Sequence, residues 1–465
     1  MLLRFSPSDF SAPLAADPAD LGMFAGADLG LEWALPFVGL LLSIAIWPLV
    51  RPGFWHRHYG KISFVWAMLV VVPMVWGFGA ADTAHALGEL FFHEYLPFVI
   101  LLLTLFTLSG GVRIYSRANG TPLSNLAMLT AGTAMASFVG TTGASMLLIR
   151  PLLRANSWRR SQKHVVIFFI FLVSNIGGSL TPLGDPPLFL GFLQGVDFFW
   201  PTHFMLLPML VVSLPMLALF YLLDHFYYRR EGSPPETAPG AEGLRLEGGV
   251  NLLLLVGVLL SIILSGFWSD SPHLVLFGID LYVNNLLRDA AMLVLLALSL
   301  MLTAGGIREQ NNFTWEPILE VAKLFAGIFT AILPVMAILR LGTDGSLAFV
   351  IESVSRDGAP NEAAYFWVTG ILSSFLDNAP TYLLFFNVAS GDAALLMDTL
   401  WRTLLAISCG AVFMGSLTYI GNAPNLMVRA VAQEWGVAMP SFFGYMAWAV
   451  VCLFPMFLVV TWIFF

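Results

Sequence analysis

The sequence predicts an all-α, polytopic membrane protein of two inverted repeats, with about ten transmembrane helices, two re-entrant hairpins and two discontinuous helices. Three observations predict it. First, 58% of the 465 residues are hydrophobic and 11% are charged, and the mean hydropathy is +0.82, far from the balance of soluble chains. Second, apolar runs of about 17 to 25 residues recur, the length of helices that cross a bilayer, whereas a transmembrane barrel would show short alternating segments. Third, one passage occurs twice, as GSLTPLGDPP (Gly178–Pro187) and GSLTYIGNAP (Gly415–Pro424), an offset of 415 − 178 = 237 residues. The same offset lays ASFVGTTGASML (Ala136–Leu147) over SSFLDNAPTYLL (Ser373–Leu384). Both passages set Gly, Pro, Ser, Thr and Asn inside apolar stretches, where they break helices and free backbone polar groups. In lipid such backbone survives only when buried in protein or lining a wet cavity.

The elements follow in order. Residues 1–30 are rich in Ala, Pro and Asp and lack the apolar centre of a signal peptide, so they are expected to form a flexible or surface-lying leader. The first repeat, residues 31–228, opens with spans at Trp33–Val50, Ile62–Phe78 and Leu96–Val112. Pro122–Leu153 has two arms too short to cross, meeting at Gly140–Gly143, and is expected to be a re-entrant hairpin. Val165–Phe199, broken near SNIGGSLTPLGDPP, and His203–Phe226 complete this half. A polar segment, residues 229–248, is the expected cytoplasmic linker. The second repeat, residues 249–465, carries spans at Val250–Phe267, Ala290–Thr303 and Ile318–Leu339. It continues with a hairpin over Ser346–Ser390 with its tip at Asp377–Pro380, a broken span at Thr399–Val428 and a last span at Phe442–Phe465.

Orientation follows from the basic residues, which concentrate in cytoplasmic loops. With the first span running inward, fourteen Arg and Lys fall inside, among them Arg51, Arg57, Lys61, Arg117 and Arg159, and five fall outside: Arg4, Arg288, Arg340, Arg356 and Arg402. Five crossings per half then make the repeats inverted. The formal charge of −8 without a basic tract excludes nucleic acid as a partner. Cys409 and Cys452 both sit in apolar surroundings and offer neither a disulfide framework nor a metal pattern. The expected partner surface is the lipid bilayer of a bacterial inner membrane, which the chain crosses many times.

Few ionisable groups reach the membrane interior. Asp377 stands at the second hairpin tip, followed by Asn378, Pro380 and Thr381; a carboxylate at mid-bilayer costs roughly 3 kcal/mol on insertion scales and marks an ion or proton path. The competing reading is a helix cap ahead of Pro380. Asp185, with Asn422 as its repeat partner, precedes a Pro-initiated half-helix and is balanced between N-cap and ion site. Ser174, Asn175, Thr181, Ser416, Thr418 and Asn425 add neutral oxygens near the breaks, the hard shell a small cation needs. Thr141 and Thr142 of the first tip are set opposite Asp377 and Asn378. Glu320 and Lys323, spaced i, i+3, are expected to pair. His56, His58, His85, His93 and His164 are expected to lie in loops or at span ends with surface roles.

The strings SFLDNAPTYL and SNIGGSLTPLGDPP, set in two hairpins and two broken helices, resemble the ion transporter superfamily. This superfamily holds NhaD-type sodium/proton antiporters, arsenite permeases and citrate or dicarboxylate carriers. The resemblance covers the chain from about Trp33 onward. In relatives the tips commonly carry Ser-Asn-Thr or Asp-Asn-x-Pro-Thr; the second tip here matches the latter through Asp377, Asn378, Pro380 and Thr381, while the first reads Gly140-Thr141-Thr142-Gly143 and lacks the Asn. The resemblance implies a homodimer with a static scaffold and a transport domain that moves as a unit.

Two cargoes follow as expectations. In cation/proton exchange a desolvated Asp377, with Asp185, holds either a proton or a sodium ion, never both. Asp377 and Asn378 would then be the sodium ligands, and no cofactor is expected beyond the transported ions. In carboxylate uptake, of citrate for example, helix N-termini and amides receive the anion, but Asp377 repels it unless a bound cation intervenes; neutral arsenite meets no such objection. An enzyme would need a nucleophile or metal motif, and no HExxH occurs.

Overall fold

The computed structural model describes residues 29–115, 119–231, 245–268, 271–339, 341–356 and 359–465. Residues 1–28 of the expected leader, residues 232–244 of the expected linker, and Arg4, Arg117 and Arg340 of the charge tally lie outside the described residues.

A 3-10 turn at Leu31–Ala34 leads into α1 (Leu35–Val50), and Pro52 starts α2 (Pro52–Phe78) one residue after α1 ends. Proline suits a helix start because its missing N–H is an orphan there anyway. α2 therefore begins ten residues before the apolar span predicted at Ile62, carrying Arg57, His58 and Lys61 on its first turns. α3 (Ala80–Leu90) continues through a π turn at Phe91–Tyr95 into α4 (Leu96–Gly110), a continuous span of 31 residues. Hydropathy hides its first half because Asp82, His85, Glu89 and His93 lie there; His93 and Glu89 pair at 3.0 Å.

Next come α5 (Pro122–Val139) and α6 (Thr141–Ala155), then α7 (Lys163–Leu172), an irregular stretch, and α8 (Pro186–Leu193). α9 (Trp200–Tyr228) closes this half. The second half opens with α10 (Val250–Phe267), α11 (Val283–Leu302), the short α12 (Ile307–Gln310) and α13 (Glu316–Leu339). After the short α14 (Ala348–Ser353) come α15 (Glu362–Leu376) and α16 (Asn378–Ala389), then the short α17 (Ala393–Met397). α18 (Trp401–Met414) and α19 (Ala423–Glu434) flank a second irregular stretch. α20 (Phe442–Cys452) and α21 (Phe454–Phe464) form one span bent by 42°, where Pro455 removes a hydrogen-bond donor.

Among the described residues seven helices are long and apolar enough to cross a membrane, or eight with the bent pair. The molecule is thus an all-α polytopic membrane protein. Among the described residues three two-stranded antiparallel pairs, not expected from the sequence, decorate its loops: β1 (Arg113–Tyr115) with β2 (Arg245–Glu247), β3 (His273–Leu276) with β4 (Ile279–Tyr282), and β5 (Ser355–Arg356) with β6 (Ala359–Pro360). They satisfy backbone groups where the chain leaves its helices.

Burial separates two kinds of helix. α2 and α11 show long lipid-sized apolar faces, with Trp76 and Met301 exposed. α7 is buried on every side, from Val165 to Val173, as is most of α18. A helix that is apolar all round and covered on all sides is an interior one. The interrupted elements are therefore wrapped by the continuous ones.

Candidate transport site

The two helix pairs turn at single residues. Gly140 joins α5 to α6 with φ 80° and ψ 149°, and Asp377 joins α15 to α16 with φ 80° and ψ 147°. The 237-residue register therefore superposes Gly140 on Asp377, Thr141 on Asn378 and Thr142 on Ala379. The expectation that Thr141 and Thr142 stand opposite Asp377 and Asn378 is off by one residue, because the one-residue turn leaves no room for slack. Glycine adopts this backbone freely, whereas a residue with a side chain is strained there by about 1–3 kcal/mol.

The interruptions repeat the same bonds. The hydroxyl of Thr181 donates to the carbonyl of Ser137, and that of Thr418 to the carbonyl of Ser374. The amides of Leu183 and Ile420 donate back to those hydroxyls at 3.2 and 3.1 Å. Ser179 and Ser416 donate to the carbonyls of Ile176 and Phe413. Thr181, Ser416 and Thr418 are thus braces for unwound backbone rather than cavity oxygens. The chain also crosses itself closely: a Cβ on Gly184 would run into the carbonyl oxygen of Gly178, and one on Gly421 into that of Gly415. Gly184→Ala should therefore cost folded protein, read as a drop in the monodisperse fraction in detergent, whereas Gly53→Ala, with open space around it, should not.

Asp185 is where the two halves meet. Its Oδ1 accepts from Thr141 Oγ1 at 2.9 Å and from Asn422 Nδ2 at 3.0 Å, and its Oδ2 accepts from Asn378 Nδ2. Asp185 and Asn422 both occupy N-cap positions, yet neither side chain caps its helix; the cap reading fails for both. Asn422 Nδ2 also reaches the carbonyl of Ser174 at 3.2 Å, and Ser174 shares a 2.8 Å bond with Ser145. Asn175 Nδ2 donates to Ile170 O at 2.7 Å and to Asn425 Oδ1 at 2.8 Å, while Asn425 Nδ2 donates at 2.9 Å to the carbonyls of Gly415 and Thr418.

Asp377 does act partly as a cap, accepting the backbone N–H of Asn378 at 2.7 Å, and its own carbonyl accepts from Thr381 Oγ1 at 2.8 Å. Asn378 therefore touches both carboxylates, one through its backbone and one through its amide. Two buried oxygens here, Asn378 Oδ1 and Asn175 Oδ1, have no hydrogen-bond partner. Unpaired buried acceptors are costly and suit a cation. Among the described residues no three His, Cys, Asp or Glu side chains group as a metal cluster, so such a shell would mix carboxylate with neutral oxygens.

A cavity of about 380 Å³ reaches this knot. Its lining includes Asp185, Asp377, Asn422, Thr141 and Thr142 from the knot, the apolar Leu105, Phe106, Phe189 and Phe325, and Trp55, His56, Glu316 and Glu320 from the starts of α2 and α13. Among the described residues neither Lys nor Arg lines it. The starts of α6, α8, α16 and α19 border it through Thr141, Pro186, Asp377 and Ala423, each presenting roughly half a positive charge. One expectation is corrected here. Glu320 does not pair with Lys323; it accepts from the Trp55 indole at 3.2 Å, while Lys323 lies 5.6 Å over the Tyr59 ring. His56 is exposed, as expected, and also borders the cavity. Sequence reasoning missed the Trp55–Glu320 bond because it joins residues 265 apart.

Apolar spanning helices enclosing a cavity that ends on interrupted, polar backbone define a membrane transporter. The profile of the family described as "Putative citrate transport" matches residues 26–465, and the chain belongs to that family. Proteins named as uncharacterized transporters of Mycobacterium bovis and Mycobacterium tuberculosis are each 26% identical over 340 residues, covering 69% of this chain and 72% of the relative. A 46 kDa membrane protein of Mycobacterium leprae is 23% identical over 333 residues, with the same coverage. The protein is a multi-pass bacterial membrane protein whose family and relatives are transporters rather than enzymes.

Proposed function

We propose that the protein is a secondary active transporter exchanging a small cation, sodium foremost, for protons by alternating access, with Asp377 as the shared carboxylate. The observation that carries this reading is the backbone of Asp377: a cavity-lining carboxylate held in a conformation that its twin position gives to glycine. Strain kept at a cavity wall marks a functional demand. Four carboxylates line the cavity and, among the described residues, neither Lys nor Arg does, which favours cations over anions. A carboxylate that takes either a proton or a cation makes the two compete, and competition gives antiport. A filled site also crosses with its charge offset, whereas an empty, ionised one is costly to carry through lipid.

The duplicated interruptions support two repeats, residues 31–228 and 249–465, of opposite sense, with the helix pairs α5–α6 and α15–α16 as re-entrant hairpins entering from opposite faces. Under the orientation given by the basic residues, the cavity end at Trp55, His56 and Glu316 faces the cytoplasm. A homodimer moving its hairpins and broken helices as one body completes the proposal.

Citrate-type uptake is the second reading, favoured by the family description. Among four carboxylates a polycarboxylate would enter only with a cation bound to it. The two readings separate by assay. Everted vesicles holding the protein should release a preformed acid gradient on adding sodium or lithium, and Asp377→Asn should abolish the release; full activity in that variant rejects the assigned role. Labelled citrate accumulating in right-side-out vesicles, without any sodium-induced proton release, would replace the first reading by the second.

A further inference from the structure

A second buried charge cluster lies away from the cavity. Asp224, near the end of α9, accepts through Oδ1 from Arg159 at 2.6 Å and shares a 2.7 Å bond with His164 Nε2, while its Oδ2 accepts from Asn125 Nδ2 at 2.9 Å. Arg159 Nε also donates to Glu231 Oε2 at 2.9 Å, and Glu231 Oε1 accepts from the amide of Ser161 at 2.8 Å. Asn125 and Asn156 exchange bonds of 2.9 and 2.8 Å beneath them. The side chains of Arg159 and Asp224 are 0% exposed, that of His164 2% and that of Glu231 6%. The surface role expected for His164 is overturned: it stacks on Tyr227 at 4.7 Å inside the protein.

The cluster fastens four pieces of chain together: the start of α5, the segment after α6, the start of α7 and the end of α9. Its charges do not balance by themselves. Two carboxylates face one guanidinium, and imidazole is the side chain whose charge ordinarily changes between pH 5 and 8. With His164 neutral the buried set carries a net negative charge; with His164 protonated it is neutral, and buried charge without a partner is costly. Among the described residues no other charged side chain is bonded into this set. α5 has no titratable residue, Lys163 on α7 is exposed, and the packed α19 spends Glu434 on Arg150 and Arg429 over the Tyr419 ring. Tyr445 of α20 stacks on Tyr419.

We infer that Arg159, His164, Asp224 and Glu231 form a proton-binding regulatory site, separate from the transport cavity, that tightens the base of the α5–α6 pair as the cytoplasm acidifies. The inference does not depend on which cargo the cavity takes. Hydrogen exchange of the full-length protein in lipid nanodiscs tests it, without cargo, at pH 8 and pH 6. Amides of residues 156–164 in the wild type should exchange at least about fivefold more slowly at pH 6 after correction for intrinsic rates, the lower end of couplings between sites. His164→Gln should leave exchange fast at both values. Glu231→Gln, which balances the set without the proton, should make the two values equal even if His164→Gln fails to fold. A wild type without the pH response, or a Glu231→Gln variant that retains it, would overturn the inference.

Discussion

Asp377→Gly is expected to make the protein more stable and to abolish transport. At φ 80° the change removes strain of about 1–3 kcal/mol, so the melting temperature in detergent should rise by a few degrees. Asp377→Ala is the informative companion, since it deletes the carboxylate but keeps a Cβ in the same backbone, and should lose activity without the gain in stability. The proton-release assay in everted vesicles and thermal melts of the three proteins check both halves. An active glycine variant would remove Asp377 from the mechanism, and equal melting of the Gly and Ala variants would refute the strain.

Asp185 should behave in the opposite way. Asp185→Ala leaves Thr141, Asn378 and Asn422 with buried donors that lose their acceptor, each worth about 1–3 kcal/mol. Total stabilities run at about 5–15 kcal/mol, so little folded protein should be recovered. Asp185→Asn should restore folding, because its new N–H₂ group can donate to Asn378 Oδ1, which has no partner now, if the Asn378 amide turns over. Size-exclusion profiles of the two variants decide the matter: two equally well-folded proteins would show that Asp185 does not hold the halves together.

The interruptions and tips were legible because Gly, Pro, Asn and Asp punctuate an otherwise apolar text, and the 237-residue echo marked them twice. The span predicted at Val250–Phe267 coincides with α10 for a related reason: nothing amphipathic blurs its ends. The starts of α2 and α3 were hidden because their polar first turns look like loop to any hydropathy window. The division of labour between the two acids was hidden more deeply. Asp185 precedes a proline as an ordinary cap does, and its true partners lie 193 and 237 residues away. Asp224 drew no expectation from the sequence, because its pairing with Arg159 and His164 exists only once α7 packs on α9.

The bonds from Asp185 and Asn175 to the opposite half mean that the four interrupted pieces cannot flex independently. If these pieces move as one body, as proposed, cargo rides in a stiff cradle whose greasy seam with the continuous helices includes the contact of Phe189 with Phe98, itself backed by Phe325 and Phe329. On that reading choice of passenger and pace of travel are housed in different residues: trimming the Phe98 or Phe189 ring along the seam should alter how fast the cradle moves while leaving untouched what it accepts.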